Sequence, residues 1–179
     1  MHLTARVAAD AHSLRQPEVR ALFRTLLEGA RERGVRTVSF ALLPDHVHWV
    51  VLARSRAALG DATRYVFSQL ARQLNRRWRR KGALFVERYW SVCCRSVKQA
   101  FVVLNYVLSN ALKAGCWSPV GVFDRFSGFD VQLLPENRFL RSVLGPTPAV
   151  WGPLLGEMAL GRLAFVPVSE RVQPRLPGM

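Results

Sequence analysis

Hydrophobic positions change period several times along this chain of 179 residues, and each change predicts a new element. Residues 2–8 (HLTARVA) alternate weakly, as a short strand does. After Pro17, the positions Val19, Leu22, Phe23, Leu26, Leu27 and Ala30 recur at three- and four-residue spacing. That period predicts an amphipathic helix stopped by Gly34. VRTVSFALL follows, rich in β-branched and aromatic residues, and reads as a strand; Pro44-Asp45 is a turn signal. HVHWVVLA is apolar on both faces apart from its two histidines, the pattern of a buried central strand. A second helix is expected from Leu59 to about Lys81, with Asp61 near its start and Gly82 as its stop. LFVERYWSVCCRSV reads as a long strand with room for a bulge or break in its middle. A third helix covers 98–114 and ends at Gly115, a favourable C-terminal cap.

The resulting order is β-α-β-β-α-β-α. Its first six elements fit the ferredoxin-like (RRM-like) arrangement of the α+β class, an antiparallel sheet with helices on one face. Composition shifts after Cys116, since eight of the ten prolines lie beyond it. The expected organisation is therefore a folded domain over 1–116 and an irregular, partly ordered Pro-rich extension over 117–179. Within the extension one short helix is expected near 151–161, and the last dozen residues are expected to be mobile.

Composition supports a globular chain, with 50% hydrophobic and 21% charged residues. No apolar stretch approaches the roughly 20 residues that span a bilayer, and MHLTARVAAD lacks the apolar core of an export signal. The three cysteines, Cys93, Cys94 and Cys116, show no CxxC spacing. Together these features predict a cytoplasmic location without a membrane partner. Charge narrows the choice further. The net charge is +14, and through Gly115 there are 20 basic against 7 acidic residues, while from Cys116 onward there are 6 against 5. Only Lys81, Lys98 and Lys113 are lysines. An arginine-dominated excess of this size points to a polyanionic partner, most often nucleic acid.

Three constellations carry candidate chemistry. On a strand, His46 and His48 project to one face, a spacing suited either to two ligands of one divalent metal or to a pair of strand-end hydrogen bonders. On the third helix, Phe101, Leu104, Leu108, Ala111 and Leu112 form one stripe, and Tyr106 points almost directly away from it. Asn110 and Lys113 lie near Tyr106 on that opposite face. This row reads either as a solvated surface or as a nucleophile beside an oxygen ligand. In the run from Arg72 to Lys81, Arg72, Arg76, Arg77, Arg79, Arg80 and Lys81 place six cations beside Trp78. They are either a solvated helix end or phosphate contacts, with Lys113 a further candidate for DNA binding. Trp78 and Trp90 suit stacking on an unpaired base or a place in the core.

At LLPDHVHWVV, GALFVERYWS and YVLSNALKAG the sequence resembles the single-tyrosine HUH transposases, in particular the REP-associated tyrosine transposases. The three blocks occur in the family's order, and with the first strand and helix the resemblance covers about residues 2–115. It implies that His46 and His48 are metal ligands, that Asn110 supplies the third where insertion-sequence relatives use Gln, and that Tyr106 is the nucleophile. The chain departs from the family in three places. Its turn is Pro-Asp where Pro-Asn is frequent, Ala111 follows Asn110 where many relatives have Pro, and FDRFSGFD only faintly matches a Ser-rich motif.

The implied cofactor is Mg²⁺ or Mn²⁺, and the implied partner is single-stranded DNA with hairpins, bound by a monomer or a homodimer. The implied activity is that of a single-strand DNA endonuclease and strand transferase that forms a 5′-phosphotyrosine intermediate. A tyrosine hydroxyl ordinarily ionises only near pH ~10, so a cation that withdraws charge from the phosphate would help its attack. Tyr89 and Tyr65 are rival nucleophiles. A rival function is a transposase-derived nucleic-acid-binding protein that no longer cuts. A metal-dependent hydrolase of small phosphates would leave the charge unexplained.

Overall fold

The computed structural model describes residues 1–116, 124 and 126–129; the expected helix near 151–161 and the expected mobile tail lie outside the described residues. The elements are β1 (His2–Arg6), α1 (Pro17–Glu32), β2 (Val35–Leu42), β3 (His46–Ala53), α2 (Arg56–Arg77), β4 (Trp90–Val92), α3 (Val97–Lys113) and β5 (Ser127–Phe129). The strands form one sheet in the order β4-β1-β3-β2-β5, and every pairing is antiparallel. The first four strands keep the order 4-1-3-2, so the ferredoxin-like core expected from the sequence is present.

Local chemistry sets the helix ends. Pro17 and Glu18 occupy the first turn of α1 and Arg31 the last, matching the helix dipole at both ends. Gly34 then turns the chain at φ +79°, a conformation that few other residues tolerate. α2 starts three residues before the expected Leu59 because the Ser55 hydroxyl accepts the Ala58 N–H at 3.0 Å. It also ends earlier than expected. Trp78 caps it, Arg79 takes φ +51°, and the Asn75 carboxamide donates to the Gly82 carbonyl at 2.8 Å. Arg79, Arg80 and Lys81 therefore leave the helix.

Alternation along β3 divides the molecule into two layers. Val47, Trp49 and Val51 face α1 and α2, where the Trp49 indole meets Phe23 and Phe67 edge-on at 6.3 and 6.1 Å. His46 and His48 face the other way. The two helices of the ferredoxin-like core thus share one face, as expected, and the third helix covers part of the opposite one through Asn110 and Tyr106.

The expected long strand over 84–97 is broken. Phe85 bridges Val7, residues 86–89 lose the strand pairing, and Trp90–Val92 pair with His2–Thr4. Ser127–Phe129, expected in the extension, add a fifth strand beside β2. Buried Asp124 fixes this strand. Its carboxylate accepts two hydrogen bonds from the Arg15 guanidinium at 3.1 and 2.8 Å and a third from the Ser127 hydroxyl at 2.8 Å. Arg15 also donates to the Leu42 and Cys116 carbonyls, tying the end of α3 to the sheet. Among the described residues no helix is long and apolar enough to cross a membrane.

Candidate active site

Register brings the site together. β1 pairs with β3 so that Thr4 stands opposite His48 and Arg6 opposite His46. His48 sits in the middle of the sheet and is 3% exposed; His46 lies at the end of β3, beside the turn. Their Nε2 atoms are 3.1 Å apart. Above them, α3 places the Asn110 carboxamide 2.5 Å from His48 Nε2. The Tyr106 ring lies one helical turn earlier, its centroid 5.3 Å from that of His48, and Tyr106 is 41% exposed. His46, His48, Asn110 and Tyr106, singled out from the sequence, are therefore gathered in one place within one chain.

The orientation of α3 differs from the expected one. The helix buries Ala100, Leu104, Val107, Leu108 and Ala111, while Phe101 is only half-buried. At 100° per residue the described buried positions centre roughly 35° away from Phe101, Leu104, Leu108 and Ala111; the Leu112 side chain lies outside the described residues. The rotation carries Asn110 from a solvent-facing row to the buried flank, and leaves Tyr106 at the rim. The Lys113 side chain lies outside the described residues.

The outer nitrogens of both imidazoles are held. Asp45 stands 2.7 Å from His46 Nδ1, so its carboxylate accepts a proton there and leaves Nε2 with its lone pair. His48 Nδ1 lies 3.0 Å from His2 Nε2 and 3.1 Å from the Thr4 hydroxyl. Burial, then the fields of His2 and His46, depress the His48 imidazole to about 2. Burial, then the nearby terminal amine, depresses His2 to about 4. Both rings are neutral at pH 7, the form in which imidazole binds metals.

This donor set fits a small divalent cation. Two adjacent ligands at right angles, each ~2.1 Å from an ion, stand ~3.0 Å apart; the two Nε2 atoms are separated by 3.1 Å. Two imidazoles and one amide oxygen make a mixed nitrogen–oxygen set open to several divalent cations, since imidazole suits the first-row transition metals and a carbonyl oxygen suits Mg²⁺ or Mn²⁺. The Asn110 carboxamide turns Nδ2 toward His48 Nε2, so reaching an ion requires the amide to flip and present its oxygen. Among the described residues no three His, Cys, Asp or Glu side chains are grouped so that they could hold one ion.

The rival tyrosines lie in the other layer. Tyr89 accepts a hydrogen bond from Thr63 of α2 at 3.3 Å, and Tyr65 packs on Gly29 beneath the Arg33 guanidinium, 3.8 Å from its ring centroid. Neither approaches the histidines. The arginine run also belongs to the α2 layer and is unevenly engaged. Arg80 is 12% exposed and grips Asp10, with hydrogen bonds at 2.6 and 3.1 Å, and the Ala83 carbonyl at 2.8 Å. Arg72 donates to Gln69 at 2.6 Å, and Arg77 stands 3.9 Å from Glu18. Arg76, Arg79 and Lys81 are exposed. Trp78 packs against the core and Trp90 is 43% exposed.

Sequence reasoning missed His2, Thr4 and Asp45. Asp45 adjoins His46 and was within reach of local reading. His2 and Thr4 reach the site only through the β1–β3 register.

The architecture matches that of a REP-associated tyrosine transposase solved bound to a REP hairpin, with a TM-score of 0.54. The fold is shared with that enzyme. Identity is 16%, over 65% of this chain and 68% of the other. A transposase candidate from Deinococcus radiodurans, also 16% identical, gives a TM-score of 0.45 and covers 65% of this chain and 89% of its own. No family model matches the chain, and no curated protein matches it.

Proposed function

We propose that this chain is a metal-dependent single-strand DNA endonuclease and strand transferase of the single-tyrosine type. The observation that carries this reading is the convergence of His46, His48 and Asn110 beside a rim tyrosine. The shared fold and the charge of +14 support it. In this reading His46, His48 and Asn110 hold Mg²⁺ or Mn²⁺, which when bound polarises a non-bridging phosphate oxygen. Residues 1–116 with Ser127–Phe129 form the catalytic unit, and residues outside 1–116 also contribute to DNA binding.

Tyr106 supplies the nucleophile. Its position at the rim lets a strand approach from solvent, with His46 half-buried and His48 buried beneath it. The hydroxyl oxygen attacks phosphorus in line, the bond to the 3′ oxygen breaks, and the phenolic proton passes to solvent while the departing oxygen is protonated. The products are a 5′-phosphotyrosine and a free 3′-OH. The ester conserves the bond, so attack by another 3′-OH regenerates the tyrosine and joins strands; a water nucleophile would end at hydrolysis. Arg76, Arg79 and Lys81 are the exposed cations of the run that remain free to meet phosphates, while Arg80 serves the fold.

The test uses a labelled single-stranded oligonucleotide pool containing hairpins, with Mn²⁺ or Mg²⁺, read on denaturing gels. A covalent adduct that disappears in Tyr106→Phe, in His48→Ala and in EDTA is expected. An adduct that survives Tyr106→Phe would overturn the assignment of the nucleophile. Tight, salt-sensitive binding without any adduct would overturn catalysis in favour of a binding protein.

A further inference from the structure

On the face of the sheet opposite Tyr106, α2 and the segment before β4 enclose a groove of about 440 Å³. Phe67, Phe85 and Tyr89 line it, with Arg64, Arg88 and Glu87 around them. The Phe67 and Tyr89 rings stack at 5.9 Å with 28° between their planes, and Phe85 meets Phe67 edge-on at 5.1 Å. The Thr63 hydroxyl holds the Tyr89 hydroxyl at 3.3 Å, which fixes that ring. Arg64 and Arg88 are exposed and have no ion-pair partner among the described residues. Of the other cations of this layer, Arg33 pairs with Asp61, Arg77 with Glu18 and Arg80 with Asp10.

We propose that this groove binds one unpaired nucleotide of a DNA strand, its base on the Phe67–Phe85–Tyr89 rings and its phosphate between Arg64 and Arg88. The ligand class rests on the DNA reading above; the site is separate from the tyrosine site. Aromatic faces accept any base, and guanidinium forks match phosphate oxygens. The volume falls in the ~300–1,000 Å³ range of small-ligand sites, enough for one nucleotide and too little for a duplex. Glu87 adds an acceptor for a base's exocyclic amine. β4 is the edge strand of the sheet, so a strand that occupies both faces passes around this edge. Duplex DNA, stiff over ~50 nm, does not make that turn smoothly.

The test measures binding of a fluorescent thymidine oligonucleotide to the full chain in EDTA, so that cleavage plays no part. Arg64→Glu and Arg88→Glu are each expected to weaken binding ~10-fold or more. Arg24→Glu, the same charge change at an exposed position on α1, is expected to cost ~3-fold or less. An oligonucleotide carrying 5-iododeoxyuridine is expected to photocrosslink to Tyr89, Phe67 or Phe85. Equal losses at all three arginines, or crosslinks confined to the α3 face, would overturn the groove. Groove-dependent binding without a tyrosine adduct in the nicking assay would leave the groove standing and remove the catalytic reading instead.

Discussion

His46 Nε2 and His48 Nε2 face each other across 3.1 Å, with the opposite nitrogen of each ring already occupied. Asp45 takes the Nδ1 proton of His46. On His48, Nδ1 meets His2 Nε2 and the Thr4 hydroxyl, each able to accept its proton or to donate to it. With Nδ1 as the donor on each ring, both Nε2 atoms offer a lone pair to one cation; without a cation, a proton on either Nε2 closes a hydrogen bond to the other. Both histidines sit on one strand, flanked by paired neighbours, and Asp45 of the adjoining turn holds the His46 ring. Preorganisation of this kind keeps a metal's ligands in place before the metal arrives.

Asp45 is the simplest part of that arrangement to remove. It is exposed, so Asp45→Ala should leave the fold intact while freeing the His46 ring to rotate and change tautomer. Mn²⁺ affinity measured by calorimetry is expected to fall ~10-fold or more, the usual effect of losing a second-layer partner. An unchanged affinity would mean that the carboxylate does not orient His46.

Loss of His2 acts on the other imidazole. His2→Ala removes one of the two hydrogen-bond partners at His48 Nδ1, and Thr4→Val removes the second. Each single variant is expected to weaken Mn²⁺ binding, and the double variant to weaken it by more than the product of the two. Nitrogen NMR should show the Nε2-protonated tautomer of His48 gaining population in the double variant. If the tautomer stays as in the unaltered protein, neither side chain controls it.

Much of this was legible in the sequence because it depends on spacing. The His46/His48 pair needs only the alternation of a strand, and Tyr106 with Asn110 only the pitch of a helix. The ferredoxin-like order followed from the sequence of periods. What remained hidden depends on register and on tertiary packing. Nothing local says that His2 and Thr4 lie beside His48, since that follows from how β1 slides along β3. The rotation of α3 was hidden because its apolar residues surround most of the helix, so packing chose Ala100 and Val107 over Phe101. Ser127–Phe129 form only three residues of strand, too short for any period, and the strand is anchored by Arg15, which lies 109 positions from Asp124.

That anchor carries its own prediction. Arg15 and Asp124 are 12% and 2% exposed at the side chain, so each needs the other. Asp124→Ala leaves a buried guanidinium without its carboxylate and is expected to destabilise the fold by ~3–5 kcal/mol. Chemical denaturation measures this directly. The pair also holds the Cys116 carbonyl at the end of α3. Tyr106-dependent adduct formation should therefore drop under conditions where Asp124→Ala is still folded. A loss below ~1 kcal/mol would show that the pair is not needed to hold this edge of the sheet.

The buried imidazoles make the metal-free protein sensitive to acid in a defined window. An unfolded histidine ionises near 6.5, whereas His2 is depressed to about 4 and His48 to about 2 in the fold. Between these values the unfolded chain binds more protons than the folded one, so stability increases with pH there. The contribution of the two groups is complete above about 6.5. It is lost as pH falls from 6.5 toward 4 for His2 and on toward 2 for His48. Each group adds at most ~1.4 kcal/mol per pH unit within its window. Melting temperature in EDTA is expected to stay level between pH 8 and 7 and to fall steadily from about 6.5 to 4.5. His2→Gln keeps a hydrogen-bonding side chain but cannot take up a proton, so its decline over that interval should be shallower. A melting temperature that stays level down to pH 4.5 in the unaltered protein would mean that His48 and His2 are not held neutral by burial, and the ligand set would lose its preformed lone pairs.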